Sequence, residues 1–164
     1  MVEPSASQRL THLDESGAAK MVDVGGKAAT TRKAVATGTF VTTAEVIGLL
    51  SSGGLPKGDA LATARIAGIM AAKKTPELIP LCHQVALSSV GVDFELGENT
   101  IEVWATAVTT DRTGVEMEAL TAVAVTGLTL HDMVKGVDPR AQMTDIGLHE
   151  KTGGKKGHWK RDDD

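Results

Sequence analysis

The 164-residue chain has no tyrosine, two phenylalanines and two tryptophans, so aromatic rings make up only 2% of it and cannot build its interior. The core must rest on Val, Leu, Ile, Ala and Met, and 18 glycines point to many tight turns. A single cysteine, Cys82, excludes an intramolecular disulfide and any paired-thiol zinc or redox site. No apolar run approaches the roughly 18 residues of a membrane-spanning helix, and the opening MVEPSASQRL lacks the basic and apolar regions of a signal peptide, so a cytoplasmic protein without membrane contact is expected. Positive charge is short as well. Seventeen Lys and Arg against 21 Asp and Glu leave a formal net charge of −4, which argues against nucleic-acid binding by bulk charge. Phe40, Phe94, Trp104 and Trp159 are also too few for a sheet that stacks RNA bases.

A hydrophobic content of 41% fits one domain able to bury about 70% of the surface of its unfolded chain. Residues 1–20 are polar and read as a flexible arm, 21–150 as the folded domain, and 151–164 as a flexible basic tail. Within the domain, 31–41 reads as a strand. Residues 42–50 read as a short helix started by Thr42 or Thr43, and 59–74 as a helix capped by Asp59 with an apolar stripe of Ala62, Ile66, Ile69 and Met70. Val90, Val92, Phe94 and Leu96 alternate, the turn GENT follows, and Ile101, Val103, Ala105 and Ala107 continue in phase, which predicts an antiparallel hairpin. Residues 114–136 predict one long helix, and 141–150 a last strand of poor alternation. The expected class is therefore α+β, a ferredoxin-like βα(α)ββαβ fold with a four-stranded antiparallel sheet and helices on one face. Its other face, rich in small residues and Val, is expected to be buried against a second copy.

Three places invite a chemical reading. SSGGLPKGDALATAR is a glycine-rich loop entering a helix with Lys57 before the first turn, which suits phosphate, but it lacks Gly-Lys-Ser/Thr and Asp59 competes with an anion; an ordinary solvated Lys is the alternative. Cys82 and His83 offer a nucleophile, a proton carrier or a metal ligand, against the plainer reading of a buried Cys beside a hydrogen-bonded His. Asp132 and Lys135 share a helix face and read either as a surface ion pair or, in a pocket, as proton-exchanging groups. In the long helix the charges concentrate at the ends. Glu118 and Asp132 share a face about 21 Å apart along the axis, too far for one compact pocket. Either the ligand is long, or two copies run past each other under two-fold symmetry so that the acids of one chain meet Asp132 and Lys135 of the other.

Taken in order, LTHLDESGAAKMVDV, KGDALATARIAGIMAAKKTPELIPLCH, TGVEMEAL, HDMVK and KTGGKKG resemble the cyclic pyranopterin monophosphate synthase family of molybdenum-cofactor biosynthesis, from about Leu10 to Lys160. The resemblance implies a lyase acting on 3′,8-cyclo-7,8-dihydro-GTP, which is rearranged to a pyranopterin while a cyclic phosphate forms and pyrophosphate leaves. It implies Lys57, Asp132 and Lys135 as catalytic residues. Leu81, Cys82, His83, Met117 and Glu118 fall on the substrate-contacting segments, with Glu116 and Lys151 lining the same site. It further implies ferredoxin-like subunits in a hexamer, a trimer of dimers with sites at dimer interfaces. No cofactor is required by it, with Mg²⁺ allowed as a companion of the pyrophosphate. Gln84, His131, Gly136 and Gly25 depart from the family's usual Pro, Tyr, Ala and Ser, but none falls on a catalytic position.

Overall fold

The computed structural model describes residues 12–162, so Leu10, Thr11 and most of the expected arm lie outside the described residues. An all-antiparallel sheet carries the chain: β1 (Thr30–Val41), β2 (Leu87–Leu96), β3 (Thr100–Asp111), β4 (Gln142–Thr152) and β5 (His158–Lys160), in the order β2-β3-β1-β4-β5. Helices α1 (Ala44–Ser52), α2 (Ala60–Lys73), α3 (Thr75–Leu78) and α4 (Glu116–Val134) make up the rest of the regular structure among the described residues. The class is α+β, with a five-stranded sheet among the described residues rather than the four strands expected. The added strand is β5, three residues at the sheet edge, too short to show a period in sequence. The expected tail thus contains the last two residues of β4 and all of β5.

The β2–β3 hairpin follows from alternation. Ile101, Val103, Ala105 and Ala107 are fully buried, and Val92 faces them from β2. With Phe40, Leu130 and Val123 they form the core between the sheet and α4. The opposite face is less apolar than expected, since Glu95 and Glu102 sit directly across from each other and Thr39 Oγ1 donates to Glu102 at 2.9 Å. The poor alternation of β4 has a local cause: its register against β1 slips twice, and Asp145 takes a left-handed φ of 53°.

Helix α2 starts where Asp59 accepts from the Ala62 amide at 3.0 Å. Its expected stripe is corrected by the structure. Ile66 and Met70 are 59% and 54% exposed, and the buried face is Ala60, Ala64, Gly68, Ala71 and Ala72. Small residues win this face because α2 packs closely on α4: a Cβ at Gly68 would run into Thr126 and Ala122. The larger apolar side chains are left outside, along with Leu128 of α4. Among the described residues no helix is long and apolar enough to cross a membrane.

Candidate active site

Lys57 sits in the turn between α1 and α2. Gly53 ends α1 in the left-handed region and Gly58, with φ of 91°, turns the chain into the Asp59 cap. This presents the Lys57 ammonium to the last turn of α4, where Nζ donates to Asp132 Oδ2 at 2.9 Å. Lys135 Nζ reaches the other oxygen, Oδ1, at 2.8 Å. Each carboxylate oxygen therefore holds one ammonium. These side chains are about half exposed, so the cluster is an accessible charge arrangement and not a core ion pair. The hydrogen bond from Lys135, followed by that from Lys57, lowers the Asp132 carboxyl to about 2. In the ligand-free protein Asp132 is thus held as a carboxylate by its two ammonium partners.

The turn behind Asp132 is firmly held. His131 Nδ1–H donates to the carbonyl of Ala141 at 2.8 Å, and the buried Asp138 accepts from Thr42 Oγ1 at 2.9 Å and from the Arg140 amide at 3.0 Å. The ring of His131 is thus committed to the backbone entering β4.

The other end of α4 carries a different chemistry. Leu81, Cys82, His83, Glu116, Met117 and Glu118 line one cavity of about 270 Å³, to which His12 also contributes. Glu118 is 2% exposed, and burial, aided by the nearby Glu116, raises its carboxyl above the usual range. The Cys82 thiol donates to Glu118 Oε1 at 3.8 Å, and burial together with that carboxylate pushes the thiol up to about 11. Cys82 is therefore held as a thiol and is a poor nucleophile in this state. His83 points elsewhere, its Nε2–H donating to the Val22 carbonyl. Of the readings open for this pair, the structure favours the part-buried Cys beside a hydrogen-bonded His. Among the described residues no group of three or more His, Cys, Asp and Glu side chains is placed to hold a metal ion.

A second, larger cavity of about 670 Å³ shares Gly114 and Glu116 with the first. Lys151 lines it and donates to Glu116 Oε1 at 2.9 Å. Lys27, Arg32, Lys33, Lys155 and Lys156 make its wall strongly basic. Of these, only the tail lysines stand out as a basic cluster in the sequence; the Gly153–Gly154 turn brings them beside Arg32. Gly153, at φ of 96°, passes so near Thr31 and Arg32 that a side chain there would collide with the start of β1.

The structure thus brings Lys57, Asp132 and Lys135 together at one end of α4, and Leu81, Cys82, His83, Glu116, Met117, Glu118 and Lys151 together at the other. It does not unite the two sets within one chain. Neither cavity is lined by Lys57, Asp132 or Lys135.

Comparison with known proteins finds a match to the MoaC family over residues 21–154. The chain is 62% identical over 155 residues to cyclic pyranopterin monophosphate synthase 2 of Mycobacterium tuberculosis, covering 94% of this chain and 93% of that protein. It is 59% identical over 158 residues to the cyclic pyranopterin monophosphate synthase of Streptomyces avermitilis, covering 96% and 93% respectively. The synthase of that name from Novosphingobium aromaticivorans is 57% identical over 151 residues, covering 92% and 96%.

Proposed function

The chain belongs to the MoaC family, and from that premise we propose that it acts as a cyclic pyranopterin monophosphate synthase in molybdenum-cofactor biosynthesis. The substrate in this reading is 3′,8-cyclo-7,8-dihydro-GTP, and the reaction, of lyase type, forms a cyclic phosphate and releases pyrophosphate. The observation that carries the assignment is the Asp132 carboxylate shared by Lys57 and Lys135, which joins the end of α4 to the turn before α2 at one accessible point.

The geometry suggests how these groups work. At rest the two ammonium groups hold Asp132 too acidic to accept a proton at neutral pH. Substrate phosphate oxygens compete for the same ammonium groups. Drawing Lys57 or Lys135 away removes the causes that depress the Asp132 carboxyl, so substrate binding itself makes Asp132 a better base. The lysines meanwhile neutralise charge that accumulates as pyrophosphate leaves. At the far end, the buried Glu118, its carboxyl raised above the usual range by burial, can exchange a hydrogen bond with a bound ring, with Leu81, Met117 and Cys82 supplying the apolar wall. No protein-bound metal is needed in this scheme, and Mg²⁺, if present, would accompany the pyrophosphate.

One complete site requires two copies of the chain, so that the Lys57–Asp132–Lys135 end of one α4 lies beside the Glu116–Glu118 end of another. The solvent-facing Ile66, Met70 and Leu128 support further association. We read the assembly as a hexamer built from dimers, in the cytoplasm. The order β2-β3-β1-β4 with α2 and α4 packed together supports a ferredoxin-like subunit extended by β5. The test is product formation from the cyclised nucleotide by the purified chain; release of pyrophosphate with formation of the cyclic phosphate is expected, and a folded oligomer inert toward that substrate would overturn the assignment.

A further inference from the structure

Residues 20–29 run from the small N-terminal hairpin, marked by the Leu13–Ala19 bridge, to the start of β1 without pairing to any strand. Val22 and Val24 are half-buried and the other residues of this strap are exposed. Among the described residues, two hydrogen bonds tie it to the body of the fold. His83 Nε2–H donates to the Val22 carbonyl, and Arg112 Nη1 donates to the Gly25 carbonyl at 3.0 Å. Around the second anchor the strap folds on itself: Asp23 Oδ1 accepts from the Gly25 amide at 2.8 Å, and the Lys27 amide donates to the Val24 carbonyl at 3.1 Å. This turn puts Gly26 and Lys27 on the wall of the larger basic cavity.

Both anchors are well founded. His83 lines the smaller cavity, on the segment that follows α3. Arg112 follows β3, its amide donates to Asp111 Oδ1 at 2.7 Å, and its carbonyl accepts from Arg32 Nη2 at 3.2 Å. The next residues, Thr113 to Glu116, lead into α4 and line the cavities. The strap is therefore pinned at two points on the rim of the candidate site, and the residue held just beyond the second pin is a cation.

We propose that His83 and Arg112 are positioning residues, which pin the strap 20–29 so that Lys27 is presented to the basic cavity. This assigns His83 a task in the ligand-free protein that contact with substrate alone would not give it. The inference deepens the synthase reading, but its main test does not depend on that reading. Lys27 adds a fixed positive charge for an anionic group, and an unpinned strap would have to be ordered by the substrate at the cost of affinity.

Amide hydrogen exchange on the full ligand-free chain decides the matter, with the hydrogen-bonded amides of Gly25 and Lys27 as reporters. In His83→Ala and in Arg112→Ala these amides should exchange at least roughly tenfold faster than in the unsubstituted protein, while amides of β1 and β3 keep their rates. His83→Gln, which still offers an N–H donor, should recover much of the protection. In the synthase assay Arg112→Ala should raise KM more than it lowers kcat. If His83→Ala fails to fold, the exposed Arg112 variant carries the comparison. Unchanged strap exchange in the folded variants, with only KM altered, would assign His83 to ligand contact alone and overturn the proposal. Absence of synthase activity in the unsubstituted chain would count against the proposed function and leave the exchange result standing.

Discussion

Lys57 and Asp132 are 75 residues apart in the chain and 2.9 Å apart in space. One comes from a glycine-bounded turn and the other from the last turn of α4, so neither local sequence nor helix periodicity requires them to meet. A contact that accessible contributes little to stability, so its removal separates the proposed chemistry from the fold.

Asp132→Asn keeps the size of the side chain and removes its charge and its titration. Turnover of the cyclised nucleotide should fall by roughly 10²-fold or more, with the melting temperature almost unmoved. Lys135→Ala should behave alike, and the double variant should lose far less than the product of the two single losses because the residues act as a unit. Near-normal turnover in either folded single variant would refute the pairing as catalytic.

The Asp132 carboxyl should titrate near pH 2 in the ligand-free protein, as followed by carbon NMR of that side chain. A carboxyl depressed on folding favours the folded state above its unfolded value, and this contribution fades as pH falls from the ordinary carboxylate range toward about 2. Lys135→Ala removes the largest cause and should raise the midpoint. A midpoint unaffected by that change would show that Lys135 does not bind Asp132 in solution.

Glu118 carries the opposite sign. Its carboxyl is raised by burial, so its protonated form is at home in the fold at low pH, and ionisation weighs against the folded state as pH rises. Glu118→Gln retains an oxygen to accept from Cys82 and cannot ionise. The variant should gain thermal stability relative to the parent at pH 8 and gain little at pH 4, a difference readable from paired melting curves. It should also make the Cys82 thiol more acidic and faster to alkylate near neutral pH, because one of the causes holding it near 11 is gone.

Ile66→Glu with Met70→Glu puts two charges on the exposed apolar strip of α2 without touching its buried Ala and Gly face. Light scattering should then report a smaller assembly with circular dichroism unchanged. An undiminished assembly would locate the interface elsewhere on the subunit.

Much of this architecture is legible in the sequence where periodicity is strong. The β2–β3 hairpin shows itself through strict alternation, α2 through the Asp59 cap, and α4 through its length and the charges at its ends. Reading fails where geometry departs from the regular period. Strand β4 hides its alternation behind two register slips and Asp145, and β5 is too brief to have one. On α2, hydropathy favours Ile66 and Met70, whereas close approach to α4 selects Ala64 and Gly68 for the inside. The ordered motifs select the residues of the site, but the depressed carboxyl of Asp132 and the basic wall of Lys27, Arg32 and Lys33 exist only once distant segments are folded together.

Helix α4 carries acids in its first turn and Asp132 in its last complete one, with a nearly uncharged stretch between. Fourteen residues separate Glu118 from Asp132, close to four full turns, so the rod works as a gauge that fixes both the spacing and the relative bearing of the two charged ends. Removing a single residue from its middle would rotate one end against the other by about 100° and shorten the span by about 1.5 Å. Substitutions along the solvent-facing side of the rod are cheap for the chemistry, while insertions and deletions in it are not. A one-residue deletion within α4 is therefore expected to cost this chain far more activity than one in the turns that flank it.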